Sequence, residues 1–168
     1  ALKKGEWRIE YPNTRTTVKE MHDLTVGIVG FGSIGRLVAY KLSVFGCKIL
    51  AYDPFLKECN VDYVKLVSFD ELLQQSDIVS LHARSNGAIM TEREFDLMKQ
   101  DSYLINSARS YLVDTQAFKR AMDSGKLLGA AIDVFETEPN IPEFYKSYDN
   151  ITLTNHLGGI TINSFRDA

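Results

Sequence analysis

The chain has 168 residues, 45% of them hydrophobic, which suffices for one sizeable core and leaves little room for a second at the usual roughly 100–200 residues per domain. A formal net charge of −3 offers no bulk attraction to nucleic acid or to an anionic membrane, no apolar run approaches the roughly 20 residues of a membrane span, and the opening Ala-Leu-Lys-Lys-Gly lacks the features of a signal peptide. The two cysteines, Cys47 and Cys59, have no second pair and no histidine at ligand spacing, so no metal site or disulfide framework is indicated and a cytoplasmic location is the default expectation.

Residues 1–24 are polar and irregular, and Trp7, Tyr11 and Pro12 mark them as an arm and linking segment. From Thr25 the run Thr-Val-Gly-Ile-Val lacks polar alternation and reads as a buried parallel strand. A helix is predicted over 34–45, where Leu37, Val38, Leu42 and Phe45 recur at helical spacing and Gly46 supplies the stop. The next strand, 48–52, is closed by Asp53-Pro54, because proline cannot continue a central ladder. Ser68-Phe69-Asp70-Glu71 is a capping-box signature that opens a short helix before the strand 78–81, and Thr91-Glu92-Arg93-Glu94 repeats it for a helix ending near Lys99. A strand follows over 103–106, Asp114 caps a helix to about Ser124, and 128–133 and 151–153 are the last strands. Such alternation predicts an α/β domain over 25–156: a Rossmann-type, doubly wound parallel sheet with helices on both faces and right-handed crossovers. Ligands of such sheets sit at the carboxyl ends of the strands, so Gly30, Asp53, His82, Asn106 to Arg109, Asp133 and His156 are expected along one rim.

Gly30-Phe31-Gly32-Ser33-Ile34-Gly35 is a G-x-G-x-x-G motif, common by itself and specific here because it follows a strand directly and opens a helix. Gly30 permits the tight turn, Gly32 lets a pyrophosphate approach the backbone, and Gly35 lets helix and strand pack closely, with the helix-start amides facing the phosphates. Asp53, eighteen residues past Gly35, can accept hydrogen bonds from the adenosine ribose and would repel a 2′-phosphate. With no arginine beside Asp53, the expected cofactor is NAD rather than NADP.

Three further stretches resemble the D-2-hydroxyacid dehydrogenase family, whose members include phosphoglycerate, glycerate and D-lactate dehydrogenases. They are Ile105-Asn106-Ser107-Ala108-Arg109-Ser110-Tyr111-Leu112-Val113-Asp114, the segment from Gly129 through Asp133-Val134-Phe135-Glu136-Thr137-Glu138-Pro139, and Leu153-Thr154-Asn155-His156-Leu157-Gly158-Gly159. The resemblance implies that Arg109 clamps a substrate carboxylate, that His156 is the acid and base for a 2-hydroxy/2-oxo acid, and that Glu138 orients the imidazole. It implies that Asp133 binds near the nicotinamide amide, and that His82, Ala83, Ser107, Ala108, Arg109, His156, Gly158 and Gly159 help to line the cofactor. A homodimer is the oligomeric state that it implies, and 3-phosphoglycerate is one candidate substrate.

Each residue also has a plain structural reading: Arg109 as a surface ion-pair residue, Glu138 as a solvated loop acid, His156 as one more structural histidine. Their occurrence together in the family's order favours chemistry. Two other functions compete, an NAD(H)-sensing corepressor of the same family and a methyltransferase using S-adenosylmethionine; the second leaves Arg109, Glu138 and His156 unexplained. The chain departs from the family's habit at Ser110-Tyr111, where glycines are common, at Asn155, where proline is common, and at Arg84-Ser85-Asn86-Gly87, where the loop is usually longer. Residues 157–168 read as the start of a return helix toward a second, substrate-binding domain, so the expectation is a piece of a longer protein that binds NAD and turns over poorly by itself.

Overall fold

The computed structural model describes residues 19–159; the arm with Trp7 and Tyr11, and the expected return helix beyond Gly159, lie outside the described residues. Seven strands form one sheet: β1 (Thr25–Val29), β2 (Lys48–Tyr52), β3 (Lys65–Leu66), β4 (Ile78–Leu81), β5 (Ser102–Asn106), β6 (Leu127–Ile132) and β7 (Ile151–Leu153). Their spatial order is β3-β2-β1-β4-β5-β6-β7 and every pairing is parallel. The chain winds outward from β1 in one direction and then returns to wind outward from β4 in the other. The switch point therefore falls between β1 and β4, where this architecture opens a crevice at the carboxyl ends.

The helices are α1 (Ser33–Ser43), α2 (Phe69–Gln75), α3 (Glu92–Leu97), α4 (Thr115–Asp123) and α5 (Glu143–Lys146). Three start where a side chain takes an orphan amide or mimics one. The Ser68 hydroxyl accepts from the Glu71 N–H at 3.2 Å, and the Asp114 carboxylate accepts from the Ala117 N–H at 2.7 Å. The Thr91 N–H donates to Glu94 at 3.0 Å. At Ser68 only half of the expected box forms, because Glu71 turns to Lys65 and Gln75 instead. α1 ends at Ser43 rather than Phe45, and the reversal is completed at Gly46, whose φ of +73° suits a residue without a β-carbon. β3, α5 and the 3-10 turn Ser110–Leu112 have only two to four residues each, too few to show a period.

Both faces carry helices, unequally. On one face Leu72, Leu73, Phe95, Phe118 and Met122 pack on Leu50, Val79, Leu81, Leu104 and Ile132, making the larger core. On the other, Ala39 with Val38 and Leu42 of α1 covers Val26, Ile28, Ile49 and Ala51. The rest of that second face, from Ile78 through Tyr103 and Ile105 to Ala131 and Thr152, lines an open groove of about 820 Å³ and bears no helix among the described residues.

At the amino ends of the strands, Asp77 ties three of them together. Its carbonyl accepts from the Tyr103 N–H at 2.9 Å, its N–H donates to the Thr25 carbonyl at 2.8 Å, and its carboxylate accepts from the Thr25 N–H at 2.9 Å. Lys99 and Lys19 complete the shell at 2.6 and 3.3 Å. Burial pushes the Asp77 carboxyl up, and the two ammonium groups and the amide outweigh it, holding it below the usual carboxylate range. A depressed folded value means stability that is present above the unfolded pKa of about 3.9 and is lost as pH falls through the folded one. Asp77→Asn is expected to cost about 2 kcal/mol at pH 7 in urea unfolding, and the gap to the native chain should shrink steadily below about pH 4.

Candidate cofactor and substrate site

The Gly30 loop sits at the switch point. Gly30 has φ +90°, and a β-carbon on it would lie 2.6 Å from the Ala83 nitrogen, so the exit of β1 can pass the exit of β4 only without a side chain. A β-carbon on Gly35 would lie 2.2 Å from the Gly30 carbonyl oxygen, which sets how closely α1 returns over β1. Gly32 differs: nothing lies within 4 Å of its would-be β-carbon. It is also the N-cap of α1, where no side chain caps the helix and no acidic residue occupies the first turn. Ser33 and Ile34 are exposed there. An uncapped helix start facing open space suits an anion, and a dinucleotide's pyrophosphate fits the residues present.

Asp53, one residue past β2, accepts from the Phe31 N–H at 2.9 Å and from the Phe55 N–H at 3.0 Å. Its carboxylate is thereby fixed beside the loop with lone pairs left for two hydroxyls. Phe31, within the glycine motif expected to cradle the cofactor, is 1% exposed, with its ring in the α1 core beneath the Arg36 guanidinium and its amide on Asp53. His82 holds the other wall through its backbone, donating its N–H to the Val29 carbonyl at 2.7 Å, while its ring pairs with the Ser80 hydroxyl at 2.9 Å. Burial depresses the basicity of that ring, in keeping with a structural histidine beside half-buried Ala83.

Further along the rim, β5 ends in Asn106, 2% exposed, whose side chain donates to the Arg109 carbonyl at 3.0 Å and accepts from the Ala108 N–H at 3.1 Å. This clamp fixes the turn through exposed Ser107 and half-buried Ala108, and presents Arg109 to solvent with one guanidinium nitrogen on the Ala108 carbonyl at 2.6 Å. At the end of β7, His156 meets Glu138: Nδ1 and Oε2 are 2.8 Å apart, and the second Glu138 oxygen accepts from the Phe135 N–H at 2.9 Å. The imidazole and the Phe135 amide hold the Glu138 carboxyl below the usual range. With Nδ1 turned to Glu138, Nε2 is the nitrogen left to face a reactant; the ring is half exposed. Asp133 lies between these stations, and its carboxylate is taken up by Thr154, Leu157 and Gly158. Gly159 is exposed, with open space where a β-carbon would stand.

The rim thus gathers two groups, the Gly30 loop with Asp53 and His82 around β1, β2 and β4, and Arg109, Asp133, Glu138 and His156 around β5, β6 and β7. Sequence reasoning passed over Asn106 and Thr154 as functional supports. Asn106 could have been found as an Asx turn at a strand end; Thr154 gives no local signal, because its partner Asp133 lies on another strand. Among the described residues no group of three His, Cys, Asp or Glu side chains could hold a metal ion, and no helix is long and apolar enough to cross a membrane.

The profile of the D-isomer-specific 2-hydroxyacid dehydrogenase family, NAD-binding domain, matches residues 1–158. The chain belongs to this family. Among similar proteins, the chain is 46% identical over 170 residues to the D-specific alpha-keto acid dehydrogenase of Enterococcus faecium, covering 89% of the chain and 51% of that protein. It is 36% identical over 168 residues to the glyoxylate reductase of Thermofilum pendens, covering 96% of the chain and 50% of that protein. The solved D-lactate dehydrogenase of Aquifex aeolicus, complexed with NAD and lactic acid, superposes with a TM-score of 0.82 at 32% identity over 95% of this chain and 54% of that one. The chain spans about half the length of the curated relatives it matches.

Because the space over Gly32 is open in the protein alone, Gly32→Ala in this domain should leave the melting temperature unchanged within about 2 °C. It should weaken NADH at least about tenfold in calorimetric titration, since the methyl group occupies the space a phosphate needs. An equal loss of stability and binding would show instead that Gly32 serves the fold.

Proposed function

We propose that this domain is the cofactor half of an NAD-dependent oxidoreductase that interconverts a small 2-oxo acid and its D-2-hydroxy acid. The observation that carries the reading is the 2.8 Å pairing of His156 Nδ1 with Glu138 on the same rim as Arg109 and the open helix start at Gly32. NADH, when bound, supplies the hydride. Arg109 offers two parallel N–H donors to the substrate carboxylate and so turns the adjacent carbonyl toward the cleft. His156 donates its Nε2 proton to the carbonyl oxygen as that oxygen becomes a hydroxyl, and takes the proton back in the reverse direction. Glu138 balances the imidazolium and holds the ring so that Nε2 points outward. Asp53 accepts from the adenosine ribose, which selects NAD over its 2′-phosphorylated form.

The substrate side favours an unphosphorylated acid over 3-phosphoglycerate. Within 106–111, 133–138 and 153–159 the only cation apart from His156 is Arg109, so this half of the site offers a phosphate no second cation. The names of the relatives, an alpha-keto acid dehydrogenase and a glyoxylate reductase, point the same way. Turnover of a panel of 2-oxo acids by the full-length protein separates this reading from an NAD(H)-sensing corepressor of the same family, which would bind the cofactor without turnover. Association as a homodimer is supported by exposed Leu37, Tyr40, Val44 and Phe45 on and after α1, and a cytoplasmic location by free thiols at Cys47 and Cys59.

Two measurements test this in the full-length protein. His156→Gln should lower kcat for pyruvate or glyoxylate at least about 100-fold with a far smaller change in the NADH Kd, whereas Arg109→Gln should act mainly through KM. Activity that survives His156→Gln would remove the acid and base from the scheme. In binding, NADH should exceed NADPH by about tenfold or more, and Asp53→Ala should narrow that gap; equal affinities for the two in the native protein would refute the role of Asp53.

A further inference from the structure

Asp133 is 7% exposed at the end of β6, yet it bears a carboxylate whose two oxygens collect three donors from one short stretch of chain. The Thr154 hydroxyl reaches Oδ1 at 2.5 Å, the Leu157 N–H reaches Oδ1 at 2.9 Å, and the Gly158 N–H reaches Oδ2 at 2.9 Å. Burial pushes this carboxyl up, and the three donors with the neighbouring His156 outweigh it and hold it below the usual range. All three donors bracket His156, two residues before it and one and two after it.

His156 has φ +57°, a left-handed conformation that a residue with a β-carbon keeps only when its surroundings over-determine it. The three bonds to Asp133 provide that over-determination, since they pin the chain on both sides of the strained residue. The fit is close: a β-carbon on Gly158 would lie 3.0 Å from Asp133 Oδ2. Thr154 is itself tied to the sheet through its N–H, which donates to the Ile132 carbonyl at 3.1 Å. The imidazole therefore has two independent supports, Glu138 on the ring and Asp133 on the backbone.

We infer that Asp133 and Thr154 are positioning residues for His156: the buried carboxylate, braced by the threonine hydroxyl, folds the 154–158 turn so that the ring stands between Glu138 and the cleft. The inference rests on His156 being the acid and base. It departs from treating Asp133 solely as a contact of the nicotinamide amide, since its lone pairs already serve the histidine turn before any ligand arrives.

The test compares Thr154→Val, Thr154→Ser and Asp133→Asn in the full-length protein, read by kcat, by the NADH Kd and by hydrogen exchange of the Leu157 and Gly158 amides. Thr154→Val should lower kcat about tenfold with the NADH Kd within about twofold, Thr154→Ser should restore kcat, and both amides should exchange about tenfold faster in the valine variant. A valine variant with unchanged kcat and exchange overturns the proposal, as does a loss that serine fails to restore. An Asp133→Asn variant that weakens NADH while leaving kcat and exchange alone would also overturn it, making Asp133 a cofactor contact; should that variant not fold, the threonine pair decides. His156→Gln measured alongside separates the two readings, because its failure to lower kcat removes the acid and base without touching the exchange result.

Discussion

Two strands side by side, β1 and β4, must leave the sheet at the same end and in different directions, one into α1 and the other into the 82–90 loop. The crossing is possible because Gly30 turns at φ +90° and carries no side chain where the Ala83 backbone passes. Everything at the cofactor half of the site follows from that passage. It orients the start of α1, brings the Phe31 amide to Asp53, and lets the His82 N–H close on Val29. The crevice between the two exits is thus a consequence of winding order, with the glycine as its local condition.

The other half of the rim is built on a different principle. There the turn after β5 and the turn after β7 are each folded by a buried polar side chain at a strand end, the first from β5 itself and the second from the neighbouring β6. Asn106 takes an amide and a carbonyl of the turn that carries Arg109, and Asp133 takes two amides of the turn that carries His156. These two side chains are 2% and 7% exposed, so their hydrogen bonds are formed in surroundings where leaving them unmade would be costly. Buried polar groups act as hinges that cannot open cheaply, and the exposed side chains of Arg109 and His156 stand on turns held by them. The two anchors are also linked, since the Asp133 N–H donates to the Asn106 carbonyl at 3.0 Å.

Charge is distributed to match. Asp53, Asp133 and Glu138 are carboxylates, and the structure surrounds each with N–H or O–H donors, whereas the first turn of α1 is left without an acid. The start of α1 is therefore left electrostatically open, and Arg109 stands as an exposed cation elsewhere on the rim. At Asp53 the carboxylate is an acceptor for hydroxyls and repels a phosphate.

Much of this was legible in the sequence, for physical reasons that act locally. The apolar runs at 25–29, 48–52 and 78–81 announce buried parallel strands because both faces of each must be dry, and Ser68, Thr91 and Asp114 announce helix starts because an orphan amide must be met within three residues. Gly30 and Gly35 of the glycine motif answer steric demands of their own turn, whereas Gly32 leaves the helix start open. What only the tertiary structure decided are relations between segments distant in the chain. Among these are the burial of Phe31, the unequal covering of the two sheet faces, the tie from Asp77 to Thr25 and Lys99, and the brace from Thr154 to Asp133. Local sequence can specify a turn because its partners are neighbours, but a carboxylate's choice of donors on adjacent strands depends on strand order and register, and those exist only once the sheet has formed.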